Sequence, residues 1–160
     1  MIYHPLFEAL HREKVVYLLC GGLAINLYGI PRMTADIDIL LDFTAENVEA
    51  LQRVLSTTDY QPLLPLPFSN LIDATQRAYW YKERNLIAYS YFSNAVRGMS
   101  LDILLDTASP FAELWQRKEV RMLNAETPVY LVNPHDLIAM KTLSGRPQDR
   151  EDILNLQKII

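Results

Sequence analysis

Two glycines and two aspartates, at fixed spacing, are the residues best suited to chemistry in this chain. Gly21-Gly22 follows an apolar run from Val15 to Cys20, and thirteen residues later comes Asp36-Ile37-Asp38. From Arg32 to Ile39 polar and apolar residues alternate. On an extended strand successive side chains point to opposite faces, so Arg32, Thr34, Asp36 and Asp38 share one face. Residues i and i+2 lie roughly 6.6 Å apart at Cα, close enough for two carboxylates to hold one Mg²⁺, or a pair of ions about 4 Å apart. Both pairs also have plain structural readings: a tight turn for the glycines, a solvent-facing strand edge for the aspartates.

A third carboxylate recurs downstream. Asp38-Ile-Leu-Leu-Asp42 is echoed as Asp102-Ile-Leu-Leu-Asp106, five residues that an Ile/Leu-rich chain can repeat by chance. Asp102 sits between Leu101 and Ile103 in an apolar strand pattern, where an unpaired charge is costly. A place beside Asp36 and Asp38, with a divalent cation compensating, would account for it. A strand-end charge in water is the alternative.

The elements that must position these residues read as mixed α/β. A helical pattern with Pro5 near its start and Leu6, Phe7 and Leu10 on one side ends before a strand at Val15 to Cys20. A short helix from Leu23 to Tyr28 stops at Gly29 and Pro31. After the aspartate strand, Ala45 to Leu55 is helical, with Val48, Leu51 and Leu55 on one stripe. Pro62, Pro65 and Pro67 mark Gln61 to Phe68 as a semi-rigid loop. Leu71 to Lys82 is helical, Leu86 to Phe92 and Ser100 to Leu105 form a hairpin, and Lys118 to Leu123 and Val129 to Val132 are two more strands. Ser109-Pro110 and Asn133-Pro134 are helix starts, the second opening His135 to Leu143. A last helix covers Gln148 to Ile160, with Ile153, Leu156 and Ile160 inward. No linker divides the chain, so a single domain over residues 1–160 is expected.

Composition limits the function classes. The 160 residues are 50% hydrophobic and 21% charged, ordinary for a soluble globular chain. No apolar run approaches the roughly 18 residues of a membrane span, and Met1 to Pro5 lacks the features of a signal peptide, so no membrane partner and a cytoplasmic location are expected. The single Cys20 and three scattered histidines argue against zinc, leaving a hard, oxygen-bound metal. A net charge of −4 argues against a large non-specific nucleic-acid surface. Cations do cluster at Arg117, Lys118 and Arg121 and at Lys141, Arg146 and Arg150. The aromatic group Tyr79, Trp80, Tyr81, Tyr89 and Tyr91 is read as core packing rather than base stacking.

Cys20-Gly21-Gly22 and Asp36-Ile37-Asp38-Ile39, with Asp102 on a later strand, resemble the signature of the DNA polymerase β-like nucleotidyltransferase superfamily. Asp136 to Lys141 with Arg146 to Ile153 is similar to the compact bacterial AbiEii and MenT-type nucleotidyltransferases, some of them toxins of toxin-antitoxin pairs. The resemblance spans about Val15 to Leu156. It implies a nucleotidyltransferase fold, a mixed central sheet flanked by helices with C-terminal helices, and transfer of a nucleoside monophosphate from an NTP to an acceptor hydroxyl. It further implies two Mg²⁺ ions, with Mn²⁺ able to substitute, held by Asp36, Asp38 and Asp102, and implies for Asp102 a part in activating the hydroxyl. Gly21 and Gly22 would let backbone approach the triphosphate. Arg32 and Lys141 are the candidate partners of phosphate oxygens, with Thr34 on the same face.

Implied partners are an NTP, an RNA acceptor such as a tRNA 3′ end, and an antitoxin protein. A small hydroxylated molecule or a protein side chain is an alternative acceptor. Thr34 also fits an ordinary strand residue, Lys141 a snorkelling surface lysine, and Arg146, Asp149 and Asp152 a capping and ion-pair network. A different class of function, a catalytically silent nucleotide-binding or protein-interaction module on the same fold, is the competing reading.

Overall fold

The computed structural model describes residues 2–107 and 109–160. Its centre is one mixed sheet of seven strands, ordered β3-β4-β5-β2-β1-β7-β6. Strand β1 (Tyr17–Cys20) is buried along its whole length, as a run of large apolar residues must be when both sheet faces are covered. It pairs antiparallel with β2 (Asp36–Leu41), setting Cys20 opposite Asp38, and parallel with β7 (Pro128–Leu131). Strand β2 in turn runs parallel to β5 (Ser100–Leu104). The hairpin of β4 (Ala88–Ser93) with β5 agrees with the sequence pattern, as do β6 (Glu119–Met122) and its antiparallel partner β7.

Helices cover the sheet where their caps allow. Helix α1 (His4–Arg12) buries Leu6, Phe7 and Leu10. Helix α2 (Gly21–Leu27) begins at the glycine pair itself, so those residues are its first turn rather than a loop before it. Gly29 ends that segment at φ +86°, a conformation open to glycine without strain. Thr44 caps α3 (Ala45–Thr57) by accepting from the Asn47 amide at 3.3 Å. The Asn47 side chain is buried because it is fully bonded: it accepts from the Val16 amide and donates to the carbonyls of Val16 and Asp42, all within 2.8 Å. That amide fastens α3 to the outer ends of β1 and β2.

Before β5, three expectations change. The strand predicted from Arg32 starts only at Asp36; residues 31–35 are an irregular approach, and Met33, expected on the apolar face, is 97% exposed. No neighbouring strand reaches that far to pair them. The proline-rich loop begins with a short strand, β3 (Tyr60–Pro62), which pairs with β4 at the edge of the sheet. Proline is tolerated there because an edge residue has no second partner to donate to. The helix predicted from Leu71 is two pieces, a 3₁₀ turn (Phe68–Ile72) and α4 (Ala74–Glu83), divided where the Asp73 carboxylate caps the amides of Thr75 and Gln76.

Beyond β5, α5 (Phe111–Gln116) starts after Pro110, so the expected Ser109 cap lies one residue outside it. Asn133 caps α6 (Pro134–Ser144), left-handed Gly145 ends it, and α7 (Pro147–Gln157) follows. Leu156 is buried, Ile153 partly so, and Ile160 is exposed beyond the end of α7, against expectation. Tyr89 and Tyr91 pack against Phe68, and Trp80 against Tyr89, in the core as predicted, whereas Tyr79 and Tyr81 remain exposed. Among the described residues no helix is long and apolar enough to cross a membrane.

Candidate active site

The five-residue echo in the sequence has a spatial meaning: its two copies lie side by side. In the parallel pairing of β2 with β5, Asp36 faces Ser100, Asp38 faces Asp102 and Ile39 faces Ile103. Register partners on parallel strands project to the same face, so Asp38 and Asp102 stand together with Asp36 two residues away. Ile37, Ile39, Leu101 and Ile103 fill the opposite face as buried core. Alternation thus puts carboxylates on one side of the two strands and anchors them by packing on the other. The Ser100 hydroxyl lies between two of them, 3.0 Å from Asp36 Oδ1 and 3.2 Å from Asp102 Oδ2.

The glycine pair closes against this group. Gly21 has φ +66°, and a Cβ there would fall 1.8 Å from Asp38 Oδ2. Only a residue without a side chain lets α2 start so close to the carboxylate. At Gly22 a Cβ would meet Arg32 Nη1 at 1.9 Å and Thr34 Oγ1 at 2.8 Å. Arg32 and Thr34 therefore share the site face as the alternation predicted, although their segment is not a strand. The Thr34 hydroxyl donates to the Asp36 carbonyl at 3.3 Å, and the Arg32 amide donates to Asn26 Oδ1 at 2.8 Å.

Behind Arg32 the C-terminal helices build an ion network. Arg32 Nε donates to Asp152 Oδ1 at 3.0 Å. Lys141 Nζ stands 2.7 Å from Asp152 Oδ2 and 3.1 Å from Asp149 Oδ1, and Arg146 closes the chain on Asp149 Oδ2 at 3.3 Å. Lys141 is only 6% exposed, so it is not a surface lysine; its ammonium is held by two buried aspartates. The structural reading of Arg146, Asp149 and Asp152 as a capping and ion-pair network agrees with this geometry, since Asp149 also accepts from the Arg146 amide at 3.0 Å. Burial alone would raise the Asp149 carboxyl, but bonds from Ser144, Lys141 and the Arg146 backbone reverse that and hold it at about 2.

With this geometry in place, the sequence from residue 5 to residue 159 matches a family described as a nucleotidyltransferase of unknown function, DUF6036. The chain belongs to this nucleotidyltransferase family. Curated proteins were also compared and none matches. Solved structures share the fold. The lincosamide antibiotic adenylyltransferase LnuA, with lincomycin bound, aligns over 97% of this chain and 94% of its own at TM-score 0.62 and 17% identity. The antibiotic-resistance factor ANT(2″)-Ia aligns in its solution structure at TM-score 0.61 and 12% identity, over 97% of this chain and 80% of its own. Its complex with adenylyl-2″-tobramycin gives 0.60 and 15%, over 99% and 90%. The mixed sheet with flanking helices is thus a nucleotidyltransferase fold, as the superfamily resemblance implied. The family match and the neighbours name neither AbiEii nor MenT-type proteins.

In this candidate site the electrostatics centre on Asp38. Burial first, then the charges of Asp102 and Asp36, push its carboxyl up to about 6 against the partial relief of Arg146 and Lys141. Beneath it the Cys20 thiol, buried and bonded to the Asp38 carbonyl at 3.4 Å, is raised by desolvation and then by Asp38. Among the described residues no three Asp, Glu, His or Cys side chains converge tightly enough to form a ready-made cation cage. Burial and then the charges of Asp102 and Asp36 disfavour the Asp38 carboxylate, and a bound cation would offset both. The donor set is all oxygen, which suits a hard divalent ion.

Beside Asp36 opens a cavity of about 230 Å³, walled by Leu23, Ile37 and Met99 with Arg97 and Asn26 among its polar lining. The cationic clusters noted in the sequence are largely neutralised in place: Arg117 pairs with Asp136 at 2.9 Å, Arg121 with Glu119 at 2.9 Å, and Lys118 lies over the Trp115 ring. Sequence reasoning missed Ser100. Its signal was present, because Ser100 precedes Asp102 by two residues on the same strand face.

Proposed function

We propose that this protein transfers a nucleoside monophosphate from an NTP to an acceptor hydroxyl with Mg²⁺ bound by Asp36, Asp38 and Asp102. The observation that carries this reading is the in-register pairing of Asp38 with Asp102, flanked by Asp36 and closed by Gly21. Bound divalent ions would neutralise charge on the phosphates and make the attacking hydroxyl a better nucleophile. The chain's own residues do the positioning. Gly21 and Gly22 let Asp38, Arg32 and Thr34 close onto the start of α2, where a triphosphate would approach, and Arg32 and Thr34 supply a guanidinium and a hydroxyl for phosphate oxygens. In this reading Asp102 accepts the proton of the acceptor hydroxyl. Lys141, engaged by Asp149 and Asp152, acts on the nucleotide through Arg32 and through its field at Asp38 rather than by direct contact.

For the acceptor, a small hydroxylated molecule is favoured over RNA. The fold neighbours carry lincomycin and an adenylylated tobramycin, and here the net charge is −4 with most clustered cations already paired. Phosphate-backbone binding depends on free Lys and Arg. The sequence resemblance keeps a second reading in view, a cytoplasmic toxin acting on a tRNA 3′ end under control of an antitoxin. Transfer of label from α-³²P NTPs to small hydroxylated compounds and to tRNA, run in parallel, separates the two. Transfer should vanish in Asp36→Asn; transfer unchanged by that substitution would remove the metal assignment, and nucleotide binding without transfer to any acceptor would leave a silent module.

A further inference from the structure

We propose that Ser100 is a positioning residue of this site, its hydroxyl holding Asp36 and Asp102 at the separation that a shared divalent cation requires. The inference rests on the metal-dependent reading above.

Ser100 sits where its backbone cannot drift. It opens the central strand β5 and is paired on both sides, with Asp36 of β2 and with Phe92 of β4. From that fixed Cα its Oγ reaches both Asp36 Oδ1 at 3.0 Å and Asp102 Oδ2 at 3.2 Å. A serine hydroxyl has one proton to give. It can donate to only one carboxylate at a time, and toward the other it presents lone pairs. The contact therefore links the two side chains but does not satisfy both; positive charge between them would complete it.

Among the described residues no other side chain hydrogen-bonds to either carboxylate. Asp36 is exposed at the first position of β2, where a freed side chain would turn into water. The nearby Thr34 hydroxyl is spent on the Asp36 carbonyl, not its carboxylate. Loss of Ser100 thus releases the outermost carboxylate while leaving the Asp38–Asp102 pairing, which is set by strand register, intact.

The test uses the full chain and Mn²⁺ alone, titrated by electron paramagnetic resonance of the free ion. Ser100→Ala should weaken Mn²⁺ binding about tenfold and Ser100→Thr, which keeps the hydroxyl, should return it to within about threefold of wild type. In the transfer assay Ser100→Ala should raise the Mg²⁺ concentration for half-maximal rate while the rate at saturating Mg²⁺ stays near wild type; a merely structural role would lower the saturating rate and leave the half-maximal concentration unchanged. Wild-type Mn²⁺ affinity in Ser100→Ala, or Ser100→Thr no tighter than Ser100→Ala, overturns the proposal. Asp38→Asn is the control: if wild type itself binds no Mn²⁺ and all four proteins behave alike, the metal-dependent reading falls and the role of Ser100 with it.

Discussion

Asp38 and Asp102 are register partners on parallel neighbouring strands, and with burial their proximity raises the Asp38 carboxyl to about 6. A sheet that only needed to fold would not set two acids opposite each other with a third beside them. The arrangement stores repulsion in the folded state. That repulsion is measurable without any substrate.

In EDTA, Asp38 should destabilise the fold once ionised. The folded carboxyl titrates at about 6 and the unfolded one near 3.8, so the folded state binds the proton more tightly. This group's favourable contribution is therefore present below about pH 4 and lost as pH rises through about 6. Asp38→Asn should melt higher than wild type at pH 8, by on the order of 2 kcal/mol or a few degrees. The two melting curves should converge below about pH 4. An Asn variant no more stable than wild type at pH 8 would mean that burial and the neighbouring carboxylates do not disfavour the Asp38 charge.

Gly21→Ala should damage both fold and site. Its φ of +66° costs an L-residue about 1–2 kcal/mol, and the new Cβ would sit 1.8 Å from Asp38 Oδ2 and 2.9 Å from Asp38 Cβ, which cannot simply rotate away. Thermal melting should fall by that energy or more, and Mn²⁺ binding should weaken at least about tenfold as the carboxylate is pushed aside. Normal metal binding in this variant would show that Asp38 is not held against the glycine.

Gly22→Ala, one residue on, should behave differently. Gly22 lies in the helix with no left-handed backbone, so alanine is locally favourable there. Its Cβ would meet the far end of Arg32 and the side chain of Thr34. Those groups must move, and they are the proposed phosphate contacts. Stability should fall by about 1 kcal/mol, less than in Gly21→Ala because no left-handed backbone is strained, while KM for the NTP rises several-fold as Thr34 and the Asp152-anchored Arg32 shift. Equal losses in Gly21→Ala and Gly22→Ala would contradict this division of roles.

How much of this was legible beforehand follows from what each residue depends on. The faces of Asp36 and Asp38 were readable because strand alternation is local, and Asp102 because an acid among leucines asks for a partner. The start of β2 was not readable: alternation continues back to Arg32, but pairing ends at Asp36, and pairing depends on where β5 begins. Alternation shows that Ser100 shares the Asp102 face, but only inter-strand register shows that it also faces Asp36. For Lys141 the sequence leaves two readings, phosphate partner and snorkelling lysine, because the two aspartates that enclose it lie eight and eleven residues away on another helix.

Asp152 ties the C-terminal helices to the donor side of the site, and its removal should expose that tie. Its two oxygens hold Arg32 at 3.0 Å and Lys141 at 2.7 Å, both largely out of water. Asp152→Ala leaves the buried Lys141 with Asp149 alone and should cost about 3 kcal/mol, because an uncompensated buried charge is worse than no charge. Adding Lys141→Met removes that excess charge, so the double variant should be more stable than Asp152→Ala. Arg32, released from its anchor in both, should bind phosphate less well, giving a raised KM for the NTP that Lys141→Met does not restore. In a cycle with Arg32→Ala, the KM effects of Arg32→Ala and Asp152→Ala should be strongly non-additive, since both act on one guanidinium. Additive effects would mean that Asp152 serves the helices only and that Arg32 finds its place without it.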